Sequence, residues 1–124
     1  MPLTAFDHVN VRTANLAAMI AWYDRVLGMK SGKRPDFPFP GAWLYLADQA
    51  ILHLVGVADE PASVEPKIEH FALRAEGLDD FLAHLRAEGV QARIGEIKDF
   101  GITQVNIHDP DGNHIHIDFA VTDR

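Results

Sequence analysis

The chain has 124 residues, 48% of them hydrophobic and 23% charged, and it contains no cysteine. This length suits one domain with its own core, and the composition excludes a disordered chain, a disulfide framework and thiolate metal sites. The formal net charge of −7 argues against a nucleic-acid partner, because phosphate backbones attract clustered Lys and Arg. With no long apolar run and no signal-peptide pattern at the N-terminus, we expect a cytoplasmic protein without a membrane partner.

The first half of the chain predicts a strand, a helix and three further strands. Residues Asp7 to Arg12 alternate polar and apolar side chains, as in a strand with one polar face. Asn15 is a good helix N-cap, and the apolar stripe after it ends at Gly28, a residue type preferred just past helix ends. Strands are then expected at about residues 30–33, 42–46 and 50–57.

The loop between the second and third of these strands contains three prolines together with Phe37 and Phe39. Proline stiffens a loop, and the two aromatic rings need an apolar neighbour. We expect the loop to pack against the protein's own sheet, to cover a pocket, or to form a dimer contact.

The second half repeats the first. Residues Asp7 to Arg12 align with Glu69 to Arg74, 62 residues further on, and an amphipathic helix again follows, ending near Gly89. Strands are expected at about 91–97, 103–108 and 114–121. The chain is therefore predicted to be α+β, with two βαβββ modules at residues 1–57 and 67–121 that pack as one domain over 1–124.

Four histidines fall on equivalent strands of the two modules. His8 and His70 occupy matching first strands, and His53 and His116 occupy matching fourth strands. Neutral imidazole is a common ligand for divalent metals, so this placement indicates a metal site, the alternative being unrelated strand histidines. Two neighbours of His116 at a spacing of two residues share its face, and either could replace or assist it: they are His114 and Asp118.

The segment Asp109-Pro110-Asp111-Gly112-Asn113 is a strong turn signal, because Pro and Gly set the backbone and Asp and Asn bind local amides. A turn of this composition with a candidate ligand three residues later resembles the vicinal oxygen chelate superfamily, which includes glyoxalases, bleomycin resistance proteins and extradiol dioxygenases. The resemblance extends over nearly the whole chain. Four other segments contribute to it: 7–11, 22–29, 50–54 and 69–74.

The resemblance implies a curved mixed-sheet half-barrel around one divalent ion, which could be Fe, Ni, Zn, Mn or Co. The family's ligand positions fall on His8, His53, His70 and His116; the last is usually glutamate, so position 116 departs from the pattern. Substrate contacts are expected from Asn10, Arg12, Gln104 and Asn106, whose alternative is ordinary solvent contact.

The expected function is that of a metal-dependent lyase, isomerase or dioxygenase acting on a small molecule that chelates the ion through adjacent oxygens. The alternative is a small-molecule-binding or antibiotic-resistance protein of the bleomycin-binding type. The resemblance also implies a homodimer.

Overall fold

A computed structural model describes residues 2–123, so the outermost residues of the predicted domain, Met1 and Arg124, lie outside the described part. The chain divides into two compact units, Met1–Ala62 and Ser63–Arg124. The division falls within the predicted linker between the two modules. That the modules pack as one domain stays a prediction.

The first unit is a four-stranded mixed sheet with one helix. Its elements are β1 (Val9–Thr13), α1 (Leu16–Leu27), β2 (Lys30–Gly32), β3 (Gly41–Leu46) and β4 (Gln49–Gly56). The strand order is β1-β4-β3-β2, with β1 parallel to β4 and the other neighbours antiparallel. This is the predicted βαβββ module. The first strand begins at Val9, so His8 lies just before the paired residues.

The second unit has the same design. Its elements are β5 (His70–Arg74), α2 (Leu78–Ala87), β6 (Arg93–Ile97), β7 (Ile102–His108) and β8 (His114–Ala120). The strand order is β5-β8-β7-β6, again with the first edge strand, β5, parallel to its neighbour β8 and the other neighbours antiparallel. A 3₁₀ turn at Lys98–Phe100, which sequence patterns did not indicate, joins β6 to β7. The α+β class and the two βαβββ modules are therefore confirmed.

Strand alternation separates a core face from a polar face in each sheet. On β4, Leu52 and Leu54 are buried, and α1 packs against this sheet. His53 lies between them and points to the opposite face. On β8, Ile115 and Ile117 belong to the core in the same way, and His116 lies between them. The apolar packing of each module therefore directs its histidines to the face away from its core.

The helix ends agree only in part with the predicted signals. Gly28 caps the C-terminus of α1 with φ of 67°, the left-handed conformation that favours glycine. Asn15 lies at the N-cap, but its side chain makes no capping hydrogen bond there; instead its backbone N–H donates to Oγ1 of Thr13. Among the described residues, neither helix has the length and apolar character needed to cross a membrane.

Candidate functional site

The first unit places two of the predicted ligands, His8 and His53, in contact. Their rings are stacked, with centroids 3.8 Å apart and planes 10° apart. Trp43, the β3 neighbour of His53, also stacks on it, at 3.9 Å and 12°. The three rings therefore form one aromatic group on the polar face of the sheet.

Each histidine of this pair has one ring nitrogen committed to an acceptor. Nδ1 of His8 lies 2.7 Å from Oδ2 of Asp7, and Nε2 of His53 lies 2.9 Å from the carbonyl oxygen of Ala50. Because carboxylates and carbonyls accept hydrogen bonds, these nitrogens carry the protons. The lone pairs of the neutral rings are then on Nε2 of His8 and Nδ1 of His53.

The protonation of His53 is biased toward the neutral form. Burial, followed by the nearby His8 ring, lowers the pKa of His53 below its usual value, although the Ala50 carbonyl opposes this effect. Only 8% of the residue is exposed. A histidine that stays neutral keeps a nitrogen lone pair available to a metal.

The second unit brings His70 and His116 together. Their ring centroids are 4.4 Å apart, and His116 is buried whereas His70 is exposed. Nδ1 of His116 donates to Oδ1 of Asp118 at 2.6 Å, and Nδ1 of His70 donates to Oε1 of Glu69, also at 2.6 Å. Asp118 thus contacts His116 as its hydrogen-bond acceptor.

Glu69 also connects His70 to His114. Its Oε2 lies 2.9 Å from Nδ1 of His114, whose Nε2 donates to the side-chain oxygen of Asn106 at 2.8 Å. These imidazoles lower the pKa of Glu69, through the hydrogen bond from His70 first and that from His114 second.

One donor atom from each of Glu69, His70 and His114 lies within 4.8 Å of the others, so the cluster could hold a cation. However, ligand atoms around a tetrahedral ion are about 3.4 Å apart, whereas the carboxylate of Glu69 lies 2.6 and 2.9 Å from the two imidazoles. The geometry is that of an acceptor orienting two rings.

The predicted substrate-contacting residues lie on the polar faces of β1 and β7. Asn10 lines a cavity in the first unit, whereas Arg12, on the same face, is exposed and does not line it. Gln104 is half-buried. Asn106 is buried, and its amide nitrogen donates to the carbonyl of Arg93 while its oxygen accepts from His114.

The turn before β8 is built around Asp109. Its Oδ1 accepts backbone hydrogen bonds from Asp111 and Asn113, and its Oδ2 accepts from the Asn113 side chain. Gly112 has a φ of 86°, which glycine adopts without strain. This turn sets where β8 begins, and with it the positions of His114 and His116.

The cavity of the first unit has a volume of about 670 Å³, within the range of small-molecule sites. The aromatic group of His8, His53 and Trp43 lines it, as does the loop that carries Phe37 and Phe39. Two of the three expectations for this loop are met within the first unit: it lines a pocket, and it contacts the protein's own sheet through Phe37 and Trp43 of β3.

Sequence reasoning overlooked the acidic partners Asp7 and Glu69, although a signal was present. Each directly precedes a histidine, and the two acid-histidine pairs align in the internal repeat. A histidine beside a carboxylate at equivalent strand starts is the pattern that could have identified them.

The fold recurs in solved structures. A glyoxalase family protein from Bacillus anthracis matches with a TM-score of 0.79 and 20% identity over 95% of this chain and 96% of that chain. Lactoylglutathione lyase from Agrobacterium tumefaciens matches with 0.73 and 20% over 96% of each chain. A fosfomycin resistance protein from Listeria monocytogenes matches with 0.73 and 10% over 95% and 94%. At these identities, the likeness shows the glyoxalase-like fold.

Sequence comparison gives the family itself. The profile of the Glyoxalase/Bleomycin resistance protein/Dioxygenase superfamily matches residues 5–117. The Arabidopsis thaliana protein "Glyoxylase I 4" is 31% identical over 124 residues, covering 93% of this chain and 70% of that protein. The chain therefore belongs to the Glyoxalase/Bleomycin resistance protein/Dioxygenase superfamily, which confirms the resemblance found in its sequence.

Proposed function

We propose that this protein is a metal-dependent enzyme of the glyoxalase or dioxygenase type, acting on a small substrate that presents two adjacent oxygens. Its ligands to one divalent ion are His8, His53, His70 and His116, and the ion is Fe, Ni, Zn, Mn or Co. The observation that carries this proposal is the hydrogen bonding of the four imidazoles.

Each of these four rings donates one N–H to a hydrogen-bond acceptor. Three donate Nδ1–H to a carboxylate, at distances of 2.6 to 2.7 Å, and the fourth donates Nε2–H to a backbone carbonyl. Histidines that bind metals in proteins almost always donate their other ring N–H in this manner, which fixes the tautomer and makes the free nitrogen more basic. Four imidazoles that each donate one ring N–H in this manner are better explained by metal binding than by chance.

The charges also fit a divalent ion. Position 116 holds an imidazole where the family usually has glutamate, so the four ligands bring no negative charge of their own. The carboxylates of Asp7, Glu69 and Asp118, each one hydrogen bond away from a ligand, supply negative charge instead. Imidazole nitrogens favour Fe, Co, Ni and Zn over Mg or Ca.

The four histidines would bind the ion, and the residues that line the cavity would bind the substrate. When bound, the ion would act as a Lewis acid that stabilises negative charge developing on the substrate oxygens. His53, whose pKa is lowered by burial, would offer a nitrogen lone pair to the ion, and Trp43 limits the rotation of its ring by stacking. Asn10 and the other cavity residues would contact the substrate and orient it.

The relative named Glyoxylase I 4, which is 31% identical to this chain, supports a lyase or isomerase reaction. A dioxygenase reaction is the other outcome, because the superfamily includes both chemistries. We also propose a homodimer, as the resemblance implies, and a cytoplasmic location.

A second candidate function is binding without turnover, as an antibiotic-resistance protein would provide. The similarity of fold to a fosfomycin resistance protein and the preformed cavity of about 670 Å³ favour it. In this case the cavity would bind a small molecule and no reaction would follow.

Metal analysis tests the proposal. Protein reconstituted with each of the five metals should retain about one equivalent of at least one of them. His116→Ala and His53→Ala should lower this content, whereas His84→Ala, a matched control on α2 outside both pairs, should not. Retention below about a tenth of an equivalent with every metal would overturn the metal hypothesis.

Turnover assays then separate the reactions. Activity that requires both Fe(II) and oxygen would identify a dioxygenase, and oxygen-independent activity with Ni, Zn or Co would identify a lyase or isomerase. Small-molecule binding without metal or turnover would support the second candidate.

A further inference from the structure

The proline-rich loop of the first unit presents two phenylalanine rings to the cavity. Phe37 and Phe39 stack with centroids 5.0 Å apart and planes 9° apart, and the Trp43 ring lies 6.5 Å from Phe37 with its plane tilted by 52°. The residues are 39% and 42% exposed, although large apolar side chains are usually buried. These rings therefore offer apolar surface to whatever occupies the cavity.

The loop is held in place by the chain around it. Three prolines restrict its backbone, the N–H of Phe37 donates to the carbonyl of Pro35, and the N–H of Gly56 in β4 donates to the carbonyl of Pro40. We call Phe37, Phe39 and Trp43 the aromatic wall of the cavity. Side chains that are ordered before binding lose little conformational entropy when a ligand binds. The aromatic surface is thus prepared for a flat partner.

A guanidinium lies directly beside this wall. The Cζ atom of Arg34 is 5.0 Å from the Phe37 ring centroid and 5.1 Å from that of Phe39, and one terminal nitrogen donates to the Phe39 carbonyl. A Cβ at Gly41 would come within 2.8 Å of this guanidinium, so glycine makes room for it. Arg34 is the one Lys or Arg among the residues that line the cavity.

We propose that this cavity binds a flat aromatic ring that carries an anionic group, with a face of the ring against Phe37 and Phe39, the tilted Trp43 ring at its edge, and the anion on Arg34. The proposal names the substrate class of the site described under Proposed function. It rests on that function only for what happens after binding, because neither the wall nor the guanidinium depends on a metal.

The ring is expected to be aromatic because flat faces stack on one another more favourably than saturated rings of the same size pack against them. The charge is expected to be negative because the planar guanidinium donates hydrogen bonds in a fork that matches a carboxylate, and it repels cations. Two carboxylates also line the cavity, and neither prevents an anion from binding at Arg34. Asp7 accepts a hydrogen bond from His8, and Asp48 lies in an exposed turn where water screens its charge.

Three probes of similar size test whether binding requires an aromatic ring and a negative charge. The protein is used without metal, in buffer that contains a chelator. The probes are 2-naphthoate, its saturated analogue decahydro-2-naphthoate, and the uncharged 2-naphthalenemethanol. Isothermal calorimetry should show 2-naphthoate binding about fivefold more tightly than either analogue. Equal affinities for the three probes, or no binding of 2-naphthoate at millimolar concentration, would overturn the proposal.

Variants locate the two contacts. Arg34→Gln should weaken 2-naphthoate about tenfold and leave 2-naphthalenemethanol unchanged, whereas Phe37→Leu should weaken both aromatic probes and leave the saturated acid unchanged. Arg86→Gln and Phe100→Leu, in the second unit, are the matched controls. Variants that alter none of these affinities would place the ligand elsewhere and contradict the proposal.

The order of the three probe affinities tests the proposal even if a variant fails to fold. Because no metal is present, failure of this ranking leaves the metal-binding result untouched. Conversely, a protein that retains no metal can still show the ranking.

Discussion

Replacing Asp118 by asparagine would test whether the carboxylates beside the histidines control metal affinity. In the structure, Oδ1 of Asp118 accepts a 2.6 Å hydrogen bond from Nδ1 of His116. Asparagine keeps the size of the side chain but removes the negative charge. It can still offer an oxygen to Nδ1, so the ring need not rotate, and the change isolates the strength of the bond.

The size of the effect follows from burial. Loss of a partner to a metal-bound histidine typically lowers affinity about 10–100-fold, or about 1.4–2.7 kcal/mol. The side chain of Asp118 is only 23% exposed, whereas that of Asp7, which has the same role beside His8, is 90% exposed. Water screens the exposed pair, so we expect about a 30-fold loss for Asp118→Asn and no more than about threefold for Asp7→Asn.

The assay is competition for Co(II) or Zn(II) against a chromophoric chelator at constant pH and salt. Asp24→Asn is the matched control, because it removes an equal charge from a surface ion pair with Lys30. The side chain of Asp24 is 47% exposed and that of Lys30 is 76% exposed. If all three variants weaken binding equally, the effect is one of net charge. An unchanged affinity for Asp118→Asn would refute the reasoning directly.

Three further predictions concern stability and protonation. Asp109→Ala leaves part-buried turn amides without their acceptor and should lower the free energy of unfolding by about 1–3 kcal/mol in urea titrations. Asp59→Ala, in the exposed linker, should change it by less than about 0.5 kcal/mol. Similar losses for both would contradict the role of the turn. Gly41→Ala would place a Cβ against a β4 carbonyl oxygen and should lower the free energy of unfolding by about 1–3 kcal/mol. Gly95→Ala, with no atom within 4 Å of the added carbon, should leave it nearly unchanged in the same measurement. Finally, because the pKa of His53 is lowered in the folded protein, the unfolded chain takes up this proton first as the pH falls below the ordinary value of 6.5. The metal-free protein should therefore lose stability between pH 6.5 and the lowered pKa, and His53→Phe should reduce that loss; identical pH dependence in both proteins would argue against it.

Much of the architecture could be read from the sequence because it depends on local periodicity. Alternation along the strands and the apolar stripe ending at Gly28 determine which elements form, and the repeat of Asp7-His8 as Glu69-His70 identifies two equivalent modules. The turn around Asp109 was recognisable for the same reason, since Pro, Gly and Asp act on neighbouring backbone groups. Local chemistry thus determined the α+β class, the modules and the histidines worth examining.

Contacts between distant residues were decided only by the tertiary structure. The stacking of His8, His53 and Trp43 and the bond from His114 to Asn106 join residues on different strands or loops. Such contacts depend on strand order and register, which single-sequence patterns do not specify. The sequence therefore indicated which histidines are candidate ligands, and the fold decided which hydrogen-bond acceptor each of these four rings has and which rings line the cavity.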